Sequence, residues 1–170
     1  MSATGLDVFD KTLQTTHIWL KELCEEIGPD RQLAWHVLGA VLRAVRDRLP
    51  PDLAAHLGSQ LPLLVRGAYY DRFRPSELPG GVRSLDEFLE GIGSELAMSR
   101  PVNSRNATCA VFQILSRHVN RGQIDKVRQS LPEEVRAIWH DDPSAPDVRD
   151  RPESSSAGNK AAISGGTRSR

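Results

Sequence analysis

Hydrophobic residues recur at spacings of three and four from about residue 6 to residue 140, the pattern of amphipathic helices. A first helix is expected over about 6–27, with Phe9, Leu13, Leu20, Leu23 and Ile27 toward the core, ending at Gly28-Pro29. Asp30 is placed to cap a second helix carrying an almost unbroken stripe: Leu33, Ala34, Val37, Leu38, Val41, Leu42, Val45 and Leu49. Pro50-Pro51 stops that helix. A short third follows from Asp52 to about Ser59, and a fourth opens near Pro62. Residues 74–83 form a Pro/Gly linker, and Ser84 with Glu87 makes a capping box for the fifth helix, which carries Phe88, Leu89, Ile92 and Leu96. The sixth helix holds Ala110, Val111, Phe112, Ile114, Leu115 and Val119, the seventh Ile124 and Val127. The eighth runs from Pro132 to about Trp139. No stretch alternates at period two, so no strand is expected.

The pattern repeats. At an offset of 70, Ala40, Val41, Leu61, Pro62, Val65 and Arg66 fall on the identical residues Ala110, Val111, Leu131, Pro132, Val135 and Arg136, with Tyr69 on Trp139. At an offset of 69, Trp19, Leu20, Leu23 and Ile27 fall on Phe88, Leu89, Ile92 and Leu96. The expected fold is therefore all-α: a compact bundle of about eight helices in two related four-helix halves, about 6–73 and 84–140. Two copies are too few for a solenoid, so the halves should share one hydrophobic interface. Residues 141–170 differ in kind: twelve of the thirty are Ser, Gly or Pro and only six are apolar, the composition of a disordered tail.

Composition narrows the function classes. Twenty-two basic residues balance 22 acidic ones, and the balance holds within the tail and the core separately. A uniform positive field for nucleic acid or an anionic membrane is thus not expected. No apolar run approaches the ~20 residues of a membrane helix, and no signal peptide is evident. Two distant cysteines, Cys24 and Cys109, read as reduced thiols of a soluble cytoplasmic protein.

The run Leu-Arg-Ala-Val-Arg-Asp-Arg-Leu-Pro-Pro-Asp-Leu-Ala-Ala-His-Leu-Gly-Ser-Gln-Leu-Pro-Leu-Leu-Val-Arg-Gly-Ala-Tyr-Tyr (42–70) resembles the bacterial family named domain of unknown function 2267. Leu-Pro-Glu-Glu-Val-Arg-Ala-Ile-Trp (131–139) is similar to that family's C-terminal end. The resemblance covers about residues 6–140. It implies a small all-helical bacterial domain and supplies no catalytic residues.

Candidate chemistry is sparse. Arg66 and Arg136 could form a pseudo-symmetric pair gripping an acidic ligand, or each could bond a carboxylate or helix-end carbonyl within its own half. Tyr69, Tyr70, Arg72, Phe73 and Arg74 could stack on and neutralise a nucleic-acid strand, although Tyr69, aligned with Trp139, is placed to fill the core. His17, His36, His56, His118 and His140 show no metal-ligand spacing, and His56 and His118 read as exposed helix residues. Cys109 reads as a small buried hydrophobe. Gly91 and Gly93 sit inside a helical pattern, where glycine permits close packing. No catalytic constellation, metal or cofactor is indicated. The expectation is a non-catalytic helical module that binds another protein or itself, with Arg66, Arg136, Tyr70, Arg72 and Arg74 as candidate contacts. Two rivals stand beside it: a nucleic-acid-associated protein using residues 62–74, and a small-molecule binder with a pocket between the halves.

Overall fold

A computed structural model describes residues 3–81 and 83–140; the tail expected over 141–170 lies outside them. Among the described residues there are eight α-helices, one 3-10 turn and no strand. The helices are α1 (Asp7–Ile27), α2 (Arg31–Arg46), α3 (Pro51–Ser59), α4 (Leu63–Tyr70), α5 (Leu85–Glu95), α6 (Ser104–His118), α7 (Arg121–Ser130) and α8 (Glu133–Ala137). The 3-10 turn, Pro75–Glu77, lies in the linker.

Local chemistry sets the boundaries. The Asp30 carboxylate accepts from the amides of Gln32 and Leu33, both at 3.0 Å, satisfying two of the donors a helix start leaves unpaired. Ser84 accepts from Glu87 N at 3.2 Å, and Asn103 and Asn120 do the same for α6 and α7. Pro50, Pro62 and Pro132 stand immediately before α3, α4 and α8. Their missing N–H groups cost nothing there, and their fixed φ directs the chain into the helix.

α2 lies at the centre, packed against α1, α4, α5 and α6. Its Val37, Leu38, Ala40, Val41, Leu42 and Val45 are at most 1% exposed. Each such Val or Leu contributes roughly 2 kcal/mol of transfer free energy, as an upper bound. The halves meet in one continuous core through α1 with α6, α2 with α5 and α6, and α3 with α7. Trp19 and Trp139 are buried there, while Trp35 is half-buried at its edge.

The two runs that align in sequence also behave alike in space. Pro51 and Arg121 open α3 and α7, and Leu63 and Glu133 open α4 and α8, at a constant separation of 70 residues. Residues 61–67 and 131–137 share one order of buried, half-buried and exposed positions. Contacts across the halves correspond too: the Arg48 guanidinium lies over the Phe88 ring at 4.7 Å, and the aligned His118 stacks on Trp19 at 5.2 Å.

Two sequence expectations need correction. Phe9 and Leu13, assigned to the core, are 48% and 37% exposed; burial on α1 begins at Thr16 and continues through Trp19, Leu20 and Leu23. The apolar stripe of α1 is continuous, but the helices it packs on cover only its C-terminal part. His118 is an exposed helix residue, as expected, and its Nε2 lies 3.0 Å from both oxygens of Glu22, which also meets Arg117 at 3.7 Å. Finally, a Cβ at Gly91 would meet nothing within 4 Å, so close packing does not explain that glycine, whereas one at Gly93 would lie 3.1 Å from Ser104 Oγ.

Candidate functional site

Arg66, one turn inside α4, donates through Nη2 to Ser59 O and Leu61 O, both at 3.0 Å. It thereby pairs carbonyls that the end of α3 leaves open, the role that keeps it within its own half. Arg136 is half-buried at the aligned place on α8. Neither arginine lines the cleft between the halves or the groove beside α1.

The segment after α4 is similarly engaged. Tyr69 is fully buried, and its hydroxyl donates to Ala54 O at 2.6 Å. Burial pushes its phenol well above the ordinary tyrosine range. Tyr70 packs edge-on to Tyr69 and Phe73, with its ring seated over Gly58, where a Cβ would collide with it. Arg72 adopts φ +53°, in the left-handed region, and reaches Glu95 at 3.0 Å and Asp71 at 3.5 Å. Arg74 pairs with Glu77 at 3.1 Å. Arg72 and Arg74 remain 70% and 73% exposed, so these ion pairs are weak, but each guanidinium has an acidic neighbour before any ligand arrives.

Sequence reasoning missed the two arginines that organise this region. Arg43 and Arg46 lie in the last turn of α2. Arg43 donates to Ala68 O at 3.0 Å and shares Glu95 with Arg72. Arg46, only 3% exposed, donates to Tyr69 O, to Asp71 O at 2.7 Å and to Asp47 Oδ1 at 2.8 Å, with Phe73 stacked 5.3 Å away. Together they cap the C-terminal end of α4, where the helix dipole favours cations. A clue was present: Arg46 falls four residues after Leu42 and next to Val45, on the apolar stripe.

Two concave surfaces lie apart from these contacts and combine charged with apolar walls. A cleft of about 500 Å³ between the halves is lined by Arg48, Pro50, Pro79, Arg83, Leu131 and Glu134 among others. Arg48 donates to Ala44 O at 2.7 Å, while its buried Nε has no partner. Burial pulls its pKa below the ordinary arginine range. On the opposite wall Glu134 accepts from Leu85 N at 2.8 Å and caps α5. The second is an open groove of about 730 Å³ along α1, bounded by Asp7, Asp10, Leu13, His17, Lys21 and Arg31. Beside it Leu6, Val8, Phe9 and Ile18 are exposed. On α4 the exposed apolar residues are Leu63 and Leu64, not the tyrosines at its end.

Among the described residues no three His, Cys, Asp or Glu side chains converge as a metal site, and no helix is long and apolar enough to cross a membrane. Cys24 and Cys109 are free and half-buried; burial raises both thiols, and Cys109 Sγ donates to Ile138 O at 3.6 Å. Less thiolate is therefore present at any given pH than on an exposed cysteine. Alkylation by iodoacetamide at pH 8 should be slower than for a cysteine in a short peptide, with the rate profile displaced to higher pH. Peptide-like rates in the folded protein would contradict this.

No curated protein matches the chain. The family described as uncharacterized conserved protein (DUF2267) matches residues 16–138, and the chain belongs to that family.

Proposed function

We propose that this protein is a non-catalytic helical interaction module that binds another protein or itself. The observation that carries this reading is the exposed apolar stripe Leu6, Phe9 and Leu13, which extends the buried face of α1 beyond the helices it packs on. Apolar residues grouped at the end of a core face favour a partner surface over water. The candidate arginines weigh the same way, since Arg66, Arg72 and Arg74 already serve carbonyls or carboxylates of the chain. We propose further that the halves arose by internal duplication, which accounts for the matched helix starts and the matched Arg48–Phe88 and His118–Trp19 pairs. A cytoplasmic location suits two free thiols.

The test is a photoreactive side chain placed at position 13, with position 125 on exposed α7 as the control, followed by irradiation in cells. A specific protein adduct at 13, absent at 125, is the expected outcome. Equal or absent adducts at both positions would remove the reading.

One observation favours a second reading, a small-molecule binder: the cleft between the halves brings Arg48 and Arg83 beside a proline-rich wall. A ligand thermal-shift screen tests it, because a ligand that binds only the folded chain raises its melting temperature. The nucleic-acid reading of residues 62–74 has less to draw on, since Tyr70 is seated on Gly58 and Arg72 and Arg74 are ion-paired. A salt titration of DNA and RNA binding addresses it.

A further inference from the structure

We infer that the α1 groove is a self-association surface, on which a second copy of this chain lays its own α1 antiparallel across the first. This rests on the interaction-module reading and commits it to one partner. Two independent observations support it.

The first is the poor fit between the start of α1 and solvent. Residues 3–9 are exposed, as are Lys11, Leu13 and Gln14. Yet the stretch Asp7–Thr16 is rich in weak helix formers: Val8, Phe9, Asp10, Thr12, Thr15 and Thr16. Helical segments of this kind draw most of their stability from an apolar face packed on something. Here the groove presents apolar side chains of its own, Leu13 and Ile18, and the described residues leave them exposed. At the offset that aligns α1 with α5, residues 7–14 fall on 76–83, ahead of Ser84, and α5 begins only at Leu85, so its start has no counterpart to these α-helical turns. The fold common to the two halves does not use them.

The second observation is the order of charge along the groove. Asp7 and Asp10 lie at its N-terminal end, and His17, Lys21 and Arg31 at the other. A parallel copy would set acid on acid and base on base. An antiparallel copy, with a two-fold axis through Gln14 midway between positions 7 and 21, sets Asp7 of each chain opposite Lys21 of the other. It also places the two Leu13 side chains beside the axis. Such an isologous contact satisfies both halves of the interface with one surface, the usual geometry of a homodimer. Opposite charges at its two ends fix the direction of pairing. Asp10 is partly committed already, holding Thr4 through its hydroxyl at 2.8 Å and its amide at 3.1 Å, so Asp7 and Lys21 are the pair to exchange.

Sedimentation equilibrium of the full chain, from about 1 µM to about 100 µM, reads the dissociation constant directly. The wild-type chain should show a monomer–dimer equilibrium in this range. Leu13→Ser with Ile18→Ser should weaken it by at least roughly tenfold. Asp7→Lys alone and Lys21→Glu alone should each weaken it by roughly tenfold, and the two together should bring it back to within about threefold of wild type. Circular dichroism of each variant confirms that the bundle is intact, and the double exchange supplies the answer if one single variant frays α1.

A monomeric wild-type chain, a dimer indifferent to Leu13 and Ile18, or a double exchange that fails to restore pairing would each overturn the inference. A monomer whose position 13 still crosslinks to a different protein would end self-association and leave the interaction-module reading standing. A monomer with no crosslink would end both.

Discussion

Trp139→Ala should lower the unfolding free energy by about 4 kcal/mol, among the larger losses a single side chain can cause. Trp139 is 1% exposed and lies flat on Phe112, with ring centroids 4.1 Å apart and an interplanar angle of 9°. Its indole N–H donates to Ser116 Oγ at 2.9 Å, and its carbonyl accepts from Arg128 Nη2 at 3.0 Å. Truncation removes the largest side chain at the C-terminal end of the described core and leaves a cavity that α8, only five residues long, is poorly able to close. Urea denaturation measures the loss as a lower midpoint. Trp139→Phe keeps the ring contact and gives up the indole hydrogen bond, so its cost should be nearer 1–2 kcal/mol. Equal stability of Trp139→Ala and wild type would mean that α8 is not part of the cooperative unit.

The second large effect is expected at Arg46. Replacing it by Met keeps an unbranched apolar stem but deletes every guanidinium donor, and should cost about 3 kcal/mol. The loss arises chiefly from what is left behind: Tyr69 O and Asp71 O, where α4 ends, lose their charged partner. Hydrogen exchange should then accelerate at amides of residues 68–73 before the rest of the core responds. Arg46→Lys should recover only part of the loss, because one ammonium cannot reach two carbonyls and the Asp47 carboxylate with the spread of a planar fork. Arg46→Met within about 0.5 kcal/mol of wild type would refute the capping role. Both variants lie away from the α1 groove and should leave self-association unchanged wherever the chain stays folded.

These two positions also mark the limits of reading the sequence. The Leu-Pro-x-x-Val-Arg signature placed α4 and α8 correctly, and aligned Tyr69 with Trp139 as core aromatics. Those features depend on nearest neighbours along the chain: a proline before a helix, a period of 3.6, a bulky ring at a stripe position. The fate of Arg46 does not. An arginine on an apolar stripe can emerge into water or turn inward, and the choice depends on whether an unpaired carbonyl lies within reach. In this protein the open carbonyls are supplied by α4, more than twenty residues later.

The candidate site follows the same division. Among the five residues singled out for contact, Arg66 serves the end of α3, Tyr70 fills the space above Gly58, and Arg72 and Arg74 pair with acids. The aligned Arg136 rests half-buried on α8. Of the surface that carries the functional proposal, Phe9 and Leu13 were expected in the core because periodicity reports which face of a helix is apolar and says nothing of how far a neighbour extends along it.

By itself the sequence determined the helical class, the helix order, the caps at Asp30 and Ser84, the matched pattern of the two halves and the balance of charge. Each of these is written in local spacing and composition. Only the tertiary structure decided which arginines turn inward, that a cleft beside Arg48 is left where the halves meet, and that α1 runs past its neighbours with its apolar edge uncovered. Those outcomes depend on which groups from distant segments come to lie within hydrogen-bonding or van der Waals range, and packing alone brings them there.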